Sequence, residues 1–384
     1  MADESHIKLG KRVKKSKLCP FGWEYTEQIP PDEACVIALP GSDADDSKKA
    51  NGFAKMVGEI LKNKKIPIYS VEYDLAGRIS VTDREAMLNH FNQGNPDSPV
   101  LRFRREDFGY IPQYIRELYH MTFAPRLRDE DGNRLSVGQT ARRLNMLAFV
   151  NHCQGSTVSF QLERLLKQDL LNLGHSEKIT NYLLKQVHNV DVAPVIPLGL
   201  TQTTTFKFVS LADEKATSVR TPQSNYVLNR RKEHEQFMEG IGKDNQPRSV
   251  GTRPFSMNFA LFRPTANETI FAVNNIFPVE MQKDEDLEGI EHVFDSYADK
   301  EDSNRTVQGD VLSQTFRETV NWIAEHTLKN AKELTELPDI FREQRFSRLV
   351  AYAQGNRYNF ITRETALQKS RRQTALRRHR DNSR

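Results

Sequence analysis

Short apolar runs alternate with segments of helical periodicity along much of this chain. Residues 34–39 form an apolar run that ends at a Pro-Gly-Ser turn, and apolar positions from Phe53 to Leu61 then recur at helical spacing. A second run rich in β-branched residues follows at 66–71. This order predicts a strand, a helix and a second strand that pairs in parallel with the first, since a helical crossover joins parallel neighbours.

A longer excursion over residues 75–143 interrupts this alternation with helical stretches and clusters of turn residues. Residues 129–133 (DEDGN) resemble the start of a calcium loop, but its twelfth position is Thr140 where a bidentate glutamate is needed. We therefore interpret residues 129–133 as an ordinary turn and 75–143 as an insertion.

The alternation resumes with residues 144–150 (LNMLAFV), which are almost wholly apolar, as in a strand buried on both faces. Apolar residues at helical spacing follow it from Val158 to Leu166. Later β-like runs lie at 192–200, 203–211, 255–262 and 268–277. The last two flank the turn RPTAN, which predicts an antiparallel hairpin.

An amphipathic helix is predicted around Leu312, Phe316, Val320 and Ile323, ending near His326. The predicted fold is therefore α/β, with a mostly parallel sheet and helices on both faces. We divide the chain into a basic N-terminal segment (1–30), a main domain (31–328) and a helical, basic C-terminal extension (329–384).

Composition narrows the possible functions. The chain has 384 residues, of which 38% are hydrophobic, and no apolar run has the roughly 18 residues of a spanning helix. The basic start is not followed by an apolar segment, so we expect no signal peptide and a cytoplasmic location. Three cysteines without metal-ligand spacing argue against a zinc site or a disulfide framework, and no GxGxxG follows a strand. We expect no metal and no cofactor.

Positive charge is concentrated near the two ends, at residues 8–17 and 370–384. Such runs are most often solvated tails, and this is the interpretation we favour. Contact with nucleic acid or an anionic surface is the alternative, but no aromatic residues interleave the C-terminal arginines to stack on bases.

The segment Asn151-His152-Cys153-Gln154-Gly155 joins the predicted strand at 144–150 to the following helix. A buried strand, a sharp turn and a helix are the elements of a nucleophile elbow, and the helix N-terminus favours a thiolate and an oxyanion. Cys153 is therefore the candidate nucleophile, against the alternative of an inert buried thiol. Cys35, inside a predicted core strand, is interpreted as inert, and Cys19 gives no indication.

This box resembles that of the α/β-hydrolase superfamily, with Asn151 in place of the first glycine and Cys153 in place of serine. Cys-Gln-Gly is similar to the box of polyhydroxyalkanoate synthases and, more loosely, of dienelactone hydrolases. The resemblance implies an oxyanion loop after residues 34–39, formed by N–H groups at Gly41 and Ser42 together with that of Gln154. The alternative for this loop is an ordinary turn with a helix N-cap near Asp46 or Ser47.

The family order of nucleophile, acid and histidine also implies the remaining site residues. Asp213 follows the run at 203–211 and is the first choice for the acid. The alternatives are Asp191, Glu280, Asp284 and Asp286. His292, after the last β-like run and before the helix around Leu312, is the expected base. The alternatives His234 and His326 are interpreted as surface residues, and His152 as a packing residue.

The sequence thus predicts a hydrolase or acyltransferase that acts on a small-molecule or lipid-like ester or thioester. Cys153, His292 and Asp213 would form a triad and an acyl-enzyme. The alternative is an inactive scaffold of the same fold that binds a partner protein.

Overall fold

The protein is described from a computed structural model, which covers residues 7–13, 22–41, 46–61, 64–73, 111, 113–196, 201–210, 212–213, 259–262, 267–273, 276–277, 290–298 and 304–331. The strands are β1 (Ile7–Val13), β2 (Gly22–Thr26), β3 (Cys35–Leu39), β4 (Ile68–Tyr73), β5 (Leu147–His152), β6 (His188–Val192), β7 (Thr204–Ser210), β8 (Phe259–Phe262) and β9 (Glu268–Val273). The helices are α1 (Ser47–Ile60), α2 (Gln113–Thr122), α3 (Val137–Asn145), α4 (Gly155–Asn172), α5 (Glu177–Leu184), α6 (Asp295–Ala298) and α7 (Val307–Asn330).

In the described part of the chain these strands form a single nine-stranded sheet, in the order β2-β1-β4-β3-β5-β6-β7-β9-β8. The neighbours from β4 across to β9 pair in parallel, whereas β1 and β8 are antiparallel to their partners. The predicted α/β class with a mostly parallel sheet is confirmed, as is the antiparallel pairing of the last two strands.

Alternating side chains of β5 explain why its first four residues, 147–150, are all apolar. Ala148 and Val150 face one core, which also contains residues of α1 and α7. Leu147 and Phe149 face the other core, together with residues of α2, α4 and α5. Helices thus cover both faces of the sheet, and a central parallel strand must be apolar on both sides.

Three strands begin two or more residues away from their predicted starts. β4 begins at Ile68, whereas the predicted run starts at residue 66. β5 starts at Leu147, because Leu144 belongs to the preceding helix, α3. A capping box between Ser136 and Gln139 starts α3, and the helix ends at Asn145. β6 spans His188–Val192, and residues 193–196 are not in a strand, so the prediction of a strand at 192–200 was wrong over the part that the structure describes.

The predicted turn at 129–133 is confirmed: Oδ1 of Asp129 accepts the N–H groups of Asp131 and Asn133. Helix α7 extends to Asn330, four residues beyond its predicted end at His326. His326 is half-buried, not a surface residue, because its ring lies on Trp322 with ring centroids 4.2 Å apart.

Residues 7–13 and 22–26 of the N-terminal segment form β1 and β2 of the sheet, so the prediction of a solvated tail was wrong for residues 8–13. Several predictions fall outside the described residues, namely those for residues 14–17 of that basic run, for residues 75–110 of the insertion and for residues 332–384 of the C-terminal extension. Within the residues that are described, no helix combines the length and apolar character needed to cross a membrane. The described side chains also contain no cluster of three or more histidine, cysteine or acidic residues that could hold a metal ion.

The carboxyl ends of the parallel strands lie at one edge of the sheet, which is where open α/β sheets place their binding sites. Gly41 follows β3, Cys153 follows β5 and Asp213 follows β7. The short 3₁₀ turn Ile290–His292 follows β9 in chain order. The sheet topology therefore directs these candidate residues to a common edge.

Candidate active site

Cys153 lies in the turn between β5 and α4 with a positive φ of 50°. Few non-glycine residues adopt this left-handed conformation, and where they do it often marks a functional site. Hydrogen bonds stabilise the turn: the Cys153 N–H donates to the carbonyl of Val192 at 3.0 Å, and the Ser156 hydroxyl donates to the Cys153 carbonyl at 2.6 Å. The Cys153 side chain is largely buried, with 8% of the residue exposed.

Gly155 allows the helix to start directly behind the nucleophile. A Cβ at this position would lie 2.2 Å from the carbonyl oxygen of Leu39 in β3. Any side chain would therefore push α4 away from β3. The glycine at the end of the box is explained by this close approach of the helix to the sheet.

Asn151 occupies the position of the first glycine in the α/β-hydrolase box. Its side chain contacts residues of the neighbouring strand, β6. Its Nδ2 donates to Oδ1 of Asp191 at 2.7 Å and lies 3.4 Å from Oδ1 of Asn189. Ser159 of α4 donates to the same Asn189 oxygen. Asn151 therefore anchors the end of β5 in a buried polar network and leaves the turn itself unobstructed.

Gly41 lies beside the nucleophile. A Cβ added to it would be 3.0 Å from Cβ of Cys153 and 3.3 Å from Nδ1 of His152. The preceding residue, Pro40, has its carbonyl held by a hydrogen bond from the buried Tyr73 hydroxyl. Ser42 lies outside the described residues. Of the two predicted N-cap positions, Asp46 and Ser47, the structure has Asp46 as the N-cap of α1. Its side chain accepts a hydrogen bond from the Lys48 N–H at 2.7 Å.

Gln154 directly precedes α4, an 18-residue helix. The positive end of the helix dipole lies at this point, next to Cys153. The backbone at Gly41 and at Gln154 therefore lies next to Cys153.

Asp213 and His292 are brought together although 79 residues separate them. Nδ1 of His292 donates to Oδ2 of Asp213 at 2.7 Å, and the side chains are 10% and 1% exposed. This bond fixes the imidazole so that Nε2 is the nitrogen left for a reacting group.

The surroundings of His292 favour its protonated form. Burial lowers the pKa of His292, but the hydrogen bond to Asp213, the interaction with the Cys153 side chain and the charges of both groups outweigh burial and raise it to about 9. Nε2 is buried, and no hydrogen bond of full geometry reaches it. The Cys153 side chain is one of the groups that raise the pKa of His292, and it makes no hydrogen bond of normal geometry to the imidazole.

The other candidates have different surroundings. Asp191 accepts a hydrogen bond from Asn151. Because successive residues of a strand face opposite sides of the sheet, Asn151 and its partner Asp191 lie on the face opposite to His152. Glu280, Asp284, Asp286 and His234 lie outside the described residues. Cys35 is completely buried, and burial raises the pKa of its thiol to about 12, which fits an inert residue.

Two contacts near the site had no signal in the sequence. The hydroxyl of Tyr73, at the end of β4, donates to the carbonyl oxygen of Pro40, and Nε2 of His152 bonds the carbonyl oxygen of His292 at 2.7 Å. Both depend on the packing of segments distant in sequence, which local patterns do not contain.

Neither a protein-family model nor a curated protein matches this chain.

Proposed function

We propose that this chain is an esterase, thioesterase or acyltransferase of the α/β-hydrolase type, with a nucleophilic cysteine. One observation carries the proposal: Asp213 orients an imidazole on which the Cys153 side chain also acts. The three residues come from three separate connections at one edge of a mostly parallel sheet. Their chain order, nucleophile then acid then histidine, is that of α/β-hydrolases.

In the proposed reaction, the thiol proton of Cys153 passes to Nε2 of His292 to form a thiolate and an imidazolium, which the raised pKa of His292 favours, and the thiolate sulfur attacks the carbonyl carbon of the substrate. N–H groups near Gly41 and Gln154 stabilise the oxyanion of the tetrahedral intermediate. The intermediate collapses as the bond to the alkoxide or thiolate leaving group breaks, and the imidazolium returns the proton to that group. The acyl group is then held as a thioester on the cysteine.

Water or another acceptor completes the cycle. His292 removes a proton from the acceptor, which attacks the thioester, and the released sulfur recovers the proton as the intermediate collapses. Thiolate is a good leaving group from such an intermediate, which suits esters and thioesters better than amides. We therefore propose an acyl substrate with an activated leaving group.

The test is turnover of p-nitrophenyl butyrate and of a butyryl thioester by the full-length protein. Cys153→Ala is expected to abolish turnover, and Cys35→Ala, which changes the other cysteine among the described residues, is expected to leave it nearly unchanged. Wild-type rates that survive Cys153→Ala would refute the nucleophile. A folded wild-type protein that turns over neither substrate would favour the alternative, an inactive scaffold that binds a partner protein.

A further inference from the structure

A direct contact joins the nucleophile's neighbour to the main chain of the histidine. Nε2 of His152 lies 2.7 Å from the carbonyl oxygen of His292, across 140 residues of sequence. A carbonyl oxygen only accepts hydrogen bonds, so Nε2 of His152 must carry the hydrogen. The bond therefore requires one particular tautomer of His152, or its cation.

The ring of His152 is held in place by aromatic neighbours. Its centroid lies 6.2 Å from that of Phe53 in α1, 5.8 Å from that of Phe294 and 5.6 Å from that of His292. Phe53 and Phe294 also meet edge to face, at 4.6 Å. This aromatic cluster fixes the direction of the Nε2–H bond, because a ring packed on several sides has little freedom to rotate.

His292 is consequently attached at two points. Its ring is held by Asp213 through Nδ1, and its main chain by His152 through the carbonyl oxygen. His152 is the residue next to Cys153, whose own backbone is fixed by the hydrogen bond to Val192. The contact thus ties the main chain of the base to the strand that carries the nucleophile.

We propose that His152 is a positioning residue that sets the separation between the Cys153 sulfur and Nε2 of His292. The inference deepens the proposed function and rests on it. His152 does not itself move protons in the reaction. Without its hydrogen bond the 3₁₀ turn at Ile290–His292 loses its tether to β5, and the imidazole shifts relative to the thiol.

The first test needs no mutation of His152. In wild-type protein with ¹⁵N-labelled histidine, two-bond imidazole correlation spectra report which ring nitrogen carries the hydrogen, with His292→Gln as an assignment aid. The expected result is an Nε2–H tautomer for His152. A neutral His152 protonated at Nδ1 alone would overturn the proposal, since its bare Nε2 could not donate to the carbonyl.

The second test compares two substitutions. His152→Phe keeps an aromatic ring in the cluster but removes the donor, whereas the amide of His152→Gln reaches roughly the place of Nε2 and keeps a donor. We expect the phenylalanine variant to lose roughly threefold to tenfold in kcat with KM little changed, as for one lost hydrogen bond. The glutamine variant should lie closer to wild type.

The pKa of His292 distinguishes positioning from a general loss of stability. In wild type it is raised to about 9 by Asp213 and Cys153, against burial, and in His152→Phe it should fall towards its ordinary value. A folded phenylalanine variant with unchanged kcat and unchanged His292 titration would overturn the proposal. Equal losses in both variants would also overturn it, because the ring and not the hydrogen bond would then matter.

The tests of His152 can fail or succeed independently of the test of the proposed enzymatic activity. A wild-type protein that hydrolyses no ester, yet shows the Nε2–H tautomer and the shifted His292 titration in His152→Phe, would refute the proposed activity and still support His152 as the tether. If the phenylalanine variant does not fold, the tautomer of the wild-type residue and the glutamine variant still decide the question.

Discussion

Substitution of Asp191 by asparagine should stabilise the protein at neutral pH and not at acidic pH. Asp191 is 2% exposed and accepts a hydrogen bond from Asn151 beneath the nucleophile turn. Burial raises its pKa to about 6, while Lys207 and the Asn151 hydrogen bond oppose this and the carboxylates of Glu268 and Glu163 add to it. Asparagine keeps an acceptor of the same shape and removes the buried charge.

The expected gain in unfolding free energy follows from the shift in the pKa of Asp191. A carboxyl pKa of about 6, against an ordinary value of 3.8, differs by about 2 units. At 1.36 kcal/mol per unit the ionised side chain costs up to about 3 kcal/mol in the folded state. Because the folded pKa is the higher one, the stability linked to Asp191 is fully present below about pH 4 and is lost as the pH rises through 6.

The assay is urea denaturation of wild type and Asp191→Asn between pH 4 and pH 8, followed by the fluorescence of the buried Trp322. The difference in unfolding free energy should grow by up to about 3 kcal/mol over this range in favour of the variant. The exposed Asp131→Asn controls for the chemical change alone. A difference that does not change with pH, or that favours wild type more strongly as the pH rises, would refute the reasoning.

Three further substitutions have expected outcomes. Gly155→Ala should destabilise the protein by about 1–3 kcal/mol in the same denaturation assay, because its methyl group meets the backbone of β3; a fully stable variant would contradict the close packing. Tyr73→Phe leaves the buried Pro40 carbonyl without its hydroxyl partner, so kcat should fall by about threefold to tenfold in ester turnover, and an unchanged kcat would contradict a role in the oxyanion loop. Asp213→Asn should lower kcat by roughly 10²–10⁴-fold and the pKa of His292 below 9, measured by turnover and by imidazole titration; a retained pKa would show that another group holds the ring.

Sequence patterns predicted the parts of the fold that are buried on both faces. The run at 34–39 lies over β3, which is apolar throughout, as a central parallel strand typically is. The run at 203–211 lies over β7, which its threonine, phenylalanine and valine residues predicted although Lys207 within it is charged. β6 was missed for the opposite reason. Its Asn189 and Asp191 are polar, yet they are buried and hydrogen-bonded, so the strand lacks an apolar signature. The apolar stretch after it contains prolines, which disfavour a central strand.

The candidate site was predictable where a local box or the order of elements defines it. Cys153 stands in a strand-turn-helix box, and the family order pointed to Asp213 and His292, which the structure joins by a hydrogen bond. His152 and Tyr73 were not predictable as supporting residues, because each acts through a main-chain carbonyl of a distant segment. Such contacts leave no residue pattern, since any residue supplies a carbonyl oxygen.

The measurement that tests the account most directly is acid quenching of the protein within seconds of mixing with p-nitrophenyl butyrate, followed by peptide mass mapping. We expect one butyryl group per chain, on the peptide that contains Cys153. The adduct should be absent from Cys153→Ala and present in Cys35→Ala. A butyryl group that maps to another residue, or that forms equally in Cys153→Ala, would contradict Cys153 as the nucleophile.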